Sequence, residues 1–171
     1  MKLILVRHPQ PQVAPGICYG STDLAIAPDQ LEQTLATLKL PTDLPIYSSP
    51  LRRCAELAAR LSPNAIYDAR LAEMHFGAWE MQPWDHIPRA DIDAWAADMV
   101  HYRPGGGESV LHMAERIDAF YNTLTTDAII ICHAGSMRLL ASRHTGLTPT
   151  AMALQAAQTT HQIPYGSTLI L

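Results

Sequence analysis

The chain has 171 residues, enough for one domain with a sizeable core, and 48% hydrophobic against 16% charged residues excludes a disordered chain. A net charge of −4 with no polybasic run gives no footprint for nucleic acid or an anionic membrane surface. Three scattered cysteines, Cys18, Cys54 and Cys132, make neither a disulfide framework nor a CxxC metal site, so a reducing, cytoplasmic setting is expected.

Leu3 to Val6 is a β-prone run without polar alternation, as in a strand buried on both faces. It is too short for a signal-peptide core, and no stretch approaches transmembrane length. Leu31, Leu35 and Leu38 fall at helical spacing, and Pro45 to Ser48 predicts a second short strand. Ser49-Pro50 then reads as an N-cap followed by proline at the first helical position. The helix it opens runs to about Leu61, with Leu51, Cys54, Ala58 and Leu61 on one face. Residues 65–67 read as a third strand. Residues 74–107 are irregular and rich in Pro, Gly and Trp, with one helix expected over 92–99. Val110, Met113, Ile117, Phe120 and Leu124 mark an amphipathic helix over 108–124. Ala128 to Cys132 is the clearest buried strand. A helix over 136–144 is closed by Gly146, Thr148-Pro149 caps another, and 167–171 reads as a last strand.

Strands alternating with helices predict an α/β fold with a mostly parallel sheet, in which ligands bind at the C-terminal strand ends. Two buried strands each deliver a histidine there, His8 and His133. A lone histidine at such a position is more often structural; two at equivalent ends are not so easily dismissed. No HxH, HExxH or Cys/His cluster accompanies them, and Arg7 beside His8 repels a cation and attracts an oxyanion. Lys occurs only at Lys2 and Lys39, so the cations are mostly arginine, the forked donor suited to phosphate. "SSPLRRC", Ser48 to Cys54, adds two arginines at a helix start, where the dipole already favours an anion.

These pieces together resemble the histidine phosphatase superfamily, which includes the cofactor-dependent phosphoglycerate mutases. The matching motifs are Arg7-His8 after the first strand, Ser49-Pro50-Leu51-Arg52-Arg53, and Glu73 followed by Phe76-Gly77 and Trp79-Glu80. Gly106-Gly107-Glu108-Ser109 and His133-Ala134-Gly135 complete the set, in the family's order. The resemblance implies a three-layer α/β/α sandwich of the phosphoglycerate mutase type, one domain over 1–171 with a small cap inserted at about 74–107. It implies a phosphohistidine mechanism without cofactor or metal. His8 is then the nucleophile, Arg7, Arg53 and His133 hold the phosphoryl oxygens, and Glu73 is the general acid and base, its pKa expected to be raised by burial. Arg52 falls on a variable position.

The Cys18-Tyr19-Gly20-x-x-Asp23-Leu24 segment is similar to the α-ribazole phosphatase branch, which implies a small phosphate ester, α-ribazole 5'-phosphate, as substrate. Gln10, Tyr19, Gly20 and Trp79 are the candidate substrate or cap contacts. A broad-specificity phosphatase or a phosphohistidine protein phosphatase is the alternative, and a mutase is a further one; the partner state expected is monomer or homodimer. Two positions depart from the family: Pro9 stands where glycine is usual, stiffening the loop after the nucleophile, and Met81 stands where glycine commonly follows Trp-Glu.

Overall fold

The five strands of the sheet lie in the order β3-β2-β4-β1-β5. β1 (Leu3–Arg7) and β4 (Ala128–Cys132) are its centre, paired in parallel from Leu3 opposite Ala128 to Arg7 opposite Cys132. β2 (Ile46–Ser48) runs parallel to β4, and β3 (Ile66–Tyr67) parallel to β2. β5 (Thr168–Ile170) closes the other edge antiparallel to β1. The computed structural model describes residues 1–159 and 162–171.

The unbroken apolar runs follow from burial on both faces. In β1, Leu3 and Leu5 point to one side and Ile4 and Val6 to the other, as the period of two requires. The first side is covered by α4 (Val110–Tyr121), α5 (Ala134–His144) and α6 (Pro149–Gln158), through Met113, Ile117, Phe120, Met137, Leu140 and Met152. The second is covered by α2 (Arg52–Leu61), through Cys54, Leu57 and Ala58, with Leu31 and Leu35 of α1 (Gln30–Thr37) beside them. The chain is thus a three-layer α/β/α sandwich on a mostly parallel sheet. α3 (Arg89–Ala97) belongs to a separate cluster, where Trp79, Ile87 and Cys18 are buried against Phe76, Ile92, Trp95 and Tyr102. Among the described residues no helix is long and apolar enough to cross a membrane.

The helix expected over 108–124 spans 110–121, and three other helix starts differ from the sequence expectation. α2 begins at Arg52 with Leu51 as N-cap, not at Ser49-Pro50. Ser49 is still strand-like: its amide donates to the Ile131 carbonyl at 3.0 Å, so it extends β2 and cannot start a helix. The Arg52 amide at the helix start donates instead to Asp23 Oδ1 at 2.7 Å, a carboxylate from a distant loop. α3 spans 89–97 rather than 92–99, starting directly after Pro88. α5 begins at Ala134, two residues early, because the His133 carbonyl already accepts the Met137 amide at 2.8 Å. At the far end of α5, Gly146 takes φ +91°, a turn that a side chain would strain.

Candidate active site

The β1–β4 register decides the centre of the site. With Arg7 opposite Cys132, the next residue of each strand is a histidine. His8 and His133 sit with ring centroids 5.0 Å apart, 2% and 0% exposed. The His8 amide donates to the Cys132 carbonyl at 3.1 Å, which carries the pairing one residue past β1.

The His8 ring has a defined tautomer. Its Nδ1 lies 2.6 Å from the Pro9 carbonyl, which can only accept, so Nδ1 carries the proton and Nε2 the lone pair. Burial pushes the pKa of His8 down to about 3; Arg53 and Arg7 add to this and the Pro9 bond opposes it. The ring is therefore neutral at ordinary pH. Pro9 lacks an amide proton but supplies the carbonyl that orients the imidazole. His133 is likewise held well below the ordinary histidine range, by burial first and then by His8 and Arg53. Its Nε2 shares a 2.8 Å hydrogen bond with Ser49 Oγ.

Two guanidinium groups flank the histidines. Arg7 Nη1 donates to the Ile163 carbonyl, and its guanidinium lies 3.9 Å above the Tyr165 ring. Arg53, fully buried, donates from Nη1 to the Thr22 carbonyl at 2.8 Å and from Nη2 to the Gly20 carbonyl at 2.5 Å. Among the described residues neither forms an ion pair, and the Nε of each is buried without an acceptor. Sequestered cations without a counter-charge are costly unless an anion completes them. Arg52, by contrast, is a surface residue paired with Glu56 at 3.1 Å. Tyr165 packs 5.5 Å from the His8 ring, Tyr19 lies 5.6 Å from the Arg53 guanidinium, and the two hydroxyls share a 2.7 Å hydrogen bond.

The Gly20–Thr22 loop is held by Glu80. That carboxylate accepts the amides of Gly20, Ser21 and Thr22 at 3.0, 2.9 and 3.2 Å, and the Thr22 hydroxyl at 2.5 Å. One peptide unit is thereby polarised from both ends: the Ser21 amide donates to Glu80 while the Gly20 carbonyl accepts from Arg53. Burial works to raise the pKa of Glu80, but the hydrogen bonds from Thr22, Phe76, Gly20 and Ser21 outweigh it and keep the group ionised. Gly20 has no room for a side chain, since a Cβ there would lie 1.9 Å from the Met74 carbonyl oxygen.

Glu73 approaches from the other side. Its Oε2 accepts the Gly135 amide and its Oε1 the Met74 amide, both at 3.0 Å. A Cβ on Gly135 would lie 2.3 Å from Oε1, which explains the glycine two residues after His133. The backbone presenting Glu73 is pinned by Arg116 on α4, whose Nη1 donates to the Arg70 and Ala72 carbonyls at 2.6 and 2.7 Å. Arg116 is aligned in turn by Glu108, at 2.6 and 2.8 Å in a two-pronged pair.

Several of these residues escape the sequence reading as site elements. Ser49 reads as a helix cap, Glu80 and Glu108 appear only inside motifs, and Arg116 and Tyr165 carry no local signal. Of the candidate contacts, Tyr19 and Gly20 are in the cluster. Gln10 is exposed and uses its carbonyl to accept the Ala27 amide. Trp79 is 4% exposed and packs in the cluster around Cys18 and Ile87. Among the described residues no three His, Cys, Asp or Glu side chains gather as a metal ligand set.

Comparison with known proteins points the same way. The model of the histidine phosphatase superfamily, branch 1, matches residues 3–163. The adenosylcobalamin/alpha-ribazole phosphatase of Escherichia coli K12 is 28% identical over 171 residues, 89% of this chain and 83% of the relative. That of Salmonella typhimurium LT2 is 27% identical, covering 84% and 79%. Among solved structures, TTHB049 of Thermus thermophilus superposes with a TM-score of 0.76 at 28% identity, covering 100% of this chain and 92% of its own. A phosphoglycerate mutase from the same organism superposes with a TM-score of 0.75 at 27% identity, with the same coverage. The chain, with its paired histidines at adjacent strand ends, belongs to the histidine phosphatase superfamily and is a phosphatase.

Proposed function

We propose that this phosphatase hydrolyses phosphate monoesters through a phosphohistidine on His8, and that its substrate is α-ribazole 5'-phosphate. The carrying observation is the state of His8: neutral, with Nδ1–H committed to the Pro9 carbonyl and Nε2 left with its lone pair beside two guanidinium groups, Arg53 fully buried and Arg7 partly so, that form no ion pair among the described residues.

His8 Nε2 attacks phosphorus as the bond from phosphorus to the leaving oxygen breaks. The ring gains positive character as the N–P bond forms, and the Pro9 carbonyl, accepting from Nδ1, strengthens its hold on that proton. Arg7, Arg53 and His133 surround the phosphoryl oxygens, the two arginines offsetting their charge in the transition state and neutral His133 offering a hydrogen bond. In its acid form Glu73 gives a proton to the departing alkoxide. As a carboxylate it then takes a proton from water, whose oxygen attacks phosphorus; the N–P bond breaks, phosphate leaves, and neutral His8 returns. Residues 74–107, with their aromatic cluster, serve as the cap.

The substrate rests on the Cys18–Leu24 segment and on relatives that are themselves alpha-ribazole phosphatases. The test is kcat/KM on α-ribazole 5'-phosphate beside p-nitrophenyl phosphate and 3-phosphoglycerate, with mass spectrometry of quenched enzyme for phosphate on His8. A preference of about a hundredfold, roughly 2.7 kcal/mol of differential transition-state binding, is expected for α-ribazole phosphate. Equal, slow turnover of all three would assign a broad-specificity phosphatase, and absence of phosphate on His8 would overturn the mechanism.

A further inference from the structure

Glu73 stands between two cavities of different character. One, of about 560 Å³, is the more polar, with Ser21, His75, Arg103, Glu108, His112 and Arg116 on its lining. The other, of about 310 Å³, has walls of Phe76, Trp95, Met99, Val110, Met113 and Leu139. We propose that the second, apolar chamber is the subsite for the leaving group, and that it selects esters whose alcohol carries a flat, uncharged aromatic body. This rests on the reading of Glu73 as the proton donor, since the ester oxygen must lie at that carboxylate.

Three observations choose the apolar chamber. It shares Tyr19 and Gly135 with the phosphoryl site as well as Glu73. Tyr19 lies against Arg53, and Gly135 follows His133 by two residues and donates to Glu73. An ester held at His8 with its oxygen at Glu73 therefore extends directly into this space. Second, two of the polar cavity's charges are already spent on each other: Arg116 is paired at two points with Glu108 and bonded to the Arg70 and Ala72 carbonyls, and Arg103 Nε donates to the Gly107 carbonyl. They fix backbone and leave little for a ligand.

The third observation is shape. Phe76 meets Trp95 edge-on at 6.1 Å, and Trp95 is stacked on Trp84 at 6.2 Å with planes 6° apart, so the aromatic wall is braced from behind. Methionines 99 and 113 add polarizable sulfur that conforms to a ring. Among the described residues the cation on the lining is Arg138, which donates to the Ala134 and Thr159 carbonyls. Ring stacking and apolar burial therefore set the preference, and Trp95 contributes a wall where Trp79 does not.

The experiment compares 1-naphthyl phosphate with glycerol 3-phosphate in the wild type, Val110→Phe and His112→Trp, with 1-naphthol binding measured by calorimetry. Val110→Phe fills the apolar chamber and is expected to lower kcat/KM for the naphthyl ester about thirtyfold while leaving glycerol phosphate within threefold; it also abolishes naphthol binding. His112→Trp, in the polar cavity, is expected to leave both esters within threefold. Thermal melting checks the fold of each variant. Met99→Trp, at a position 36% exposed, repeats the test where the core is not disturbed. Equal losses on both esters in the chamber variants, or a loss on the naphthyl ester in His112→Trp alone, would overturn the assignment. If the wild type hydrolyses neither ester yet binds naphthol in a Val110-dependent way, the monoesterase reading fails and with it the chamber's role as a leaving-group subsite, leaving only an aromatic binding site.

Discussion

The two halves of the site are built as charge inversions of one another. On the proposed phosphoryl half an arginine stands in front and a carboxylate behind it: Arg53 is held by the Gly20 and Thr22 carbonyls, whose loop is gripped by Glu80. On the proposed leaving-group half a carboxylate stands in front and an arginine behind it: Glu73 is presented by backbone that Arg116 grips, with Glu108 aligning Arg116. Each front-line charge is thus held through neutral backbone, without an opposite side-chain charge that would neutralise it. A direct Arg53–carboxylate pair would compete with the phosphoryl group. The indirect link keeps the cation available while fixing its direction.

This contrast separates the expected defects by how they depend on substrate. His8→Ala, at the junction of the halves, is expected to lower kcat/KM by at least about 10⁴-fold on every ester and to remove phosphate from the quenched enzyme by mass spectrometry. Glu73→Gln is expected to cost about 10²–10⁴-fold on alkyl esters, whose alkoxide needs a proton, and less than about tenfold on p-nitrophenyl phosphate, whose leaving group does not. A uniform loss would break the division of labour. Arg53→Ala should instead lower kcat/KM by about 10²–10³-fold on all esters alike, and Glu80→Gln, acting through the loop, by about tenfold, with inhibition by inorganic phosphate weakened in both. Leaving-group dependence in Glu80→Gln would place it on the wrong half.

A smaller effect concerns pH. His8 titrates at about 3 in the fold against 6.5 in the unfolded chain, so between those values the unfolded state binds the extra proton. Its contribution to stability is full above pH 6.5 and is lost as pH falls toward 3. Urea unfolding of the substrate-free enzyme should show this slope, and His8→Asn should reduce it, leaving the share contributed by His133, which burial also holds well below the ordinary range. The smallest change is expected from Pro9→Gly, which keeps the carbonyl that accepts Nδ1–H. Activity should stay within about threefold, and melting should report a loss of about 1 kcal/mol or less from added freedom of the unfolded loop.

The fold was largely legible because its signals are local. The apolar runs at 3–6 and 128–132 can only be strands buried on both faces, and both observed strands extend one residue or less beyond those bounds. The helix at 110–121 announces itself by period, with Ser109 capping it. Ser49-Pro50 misled for a physical reason: cap chemistry and strand extension ask for the same residue, and the Ile131 carbonyl opposite Ser49 decided between them.

By itself, then, the sequence determined which residues reach the strand ends, which family the motifs resemble, and that arginine and histidine come together there. Tertiary structure alone decided how they are held. Ser49 meets His133 across 84 positions, Arg53 meets the Gly20 carbonyl across 33, and Arg116 meets the Glu73 carbonyl across 43. Periodicity reports which face of an element is buried and carries no information about which distant backbone group will lie against it. The tautomer of His8, the grip of Glu80 and the choice between a polar and an apolar chamber all depend on such contacts, which exist only once the layers have packed.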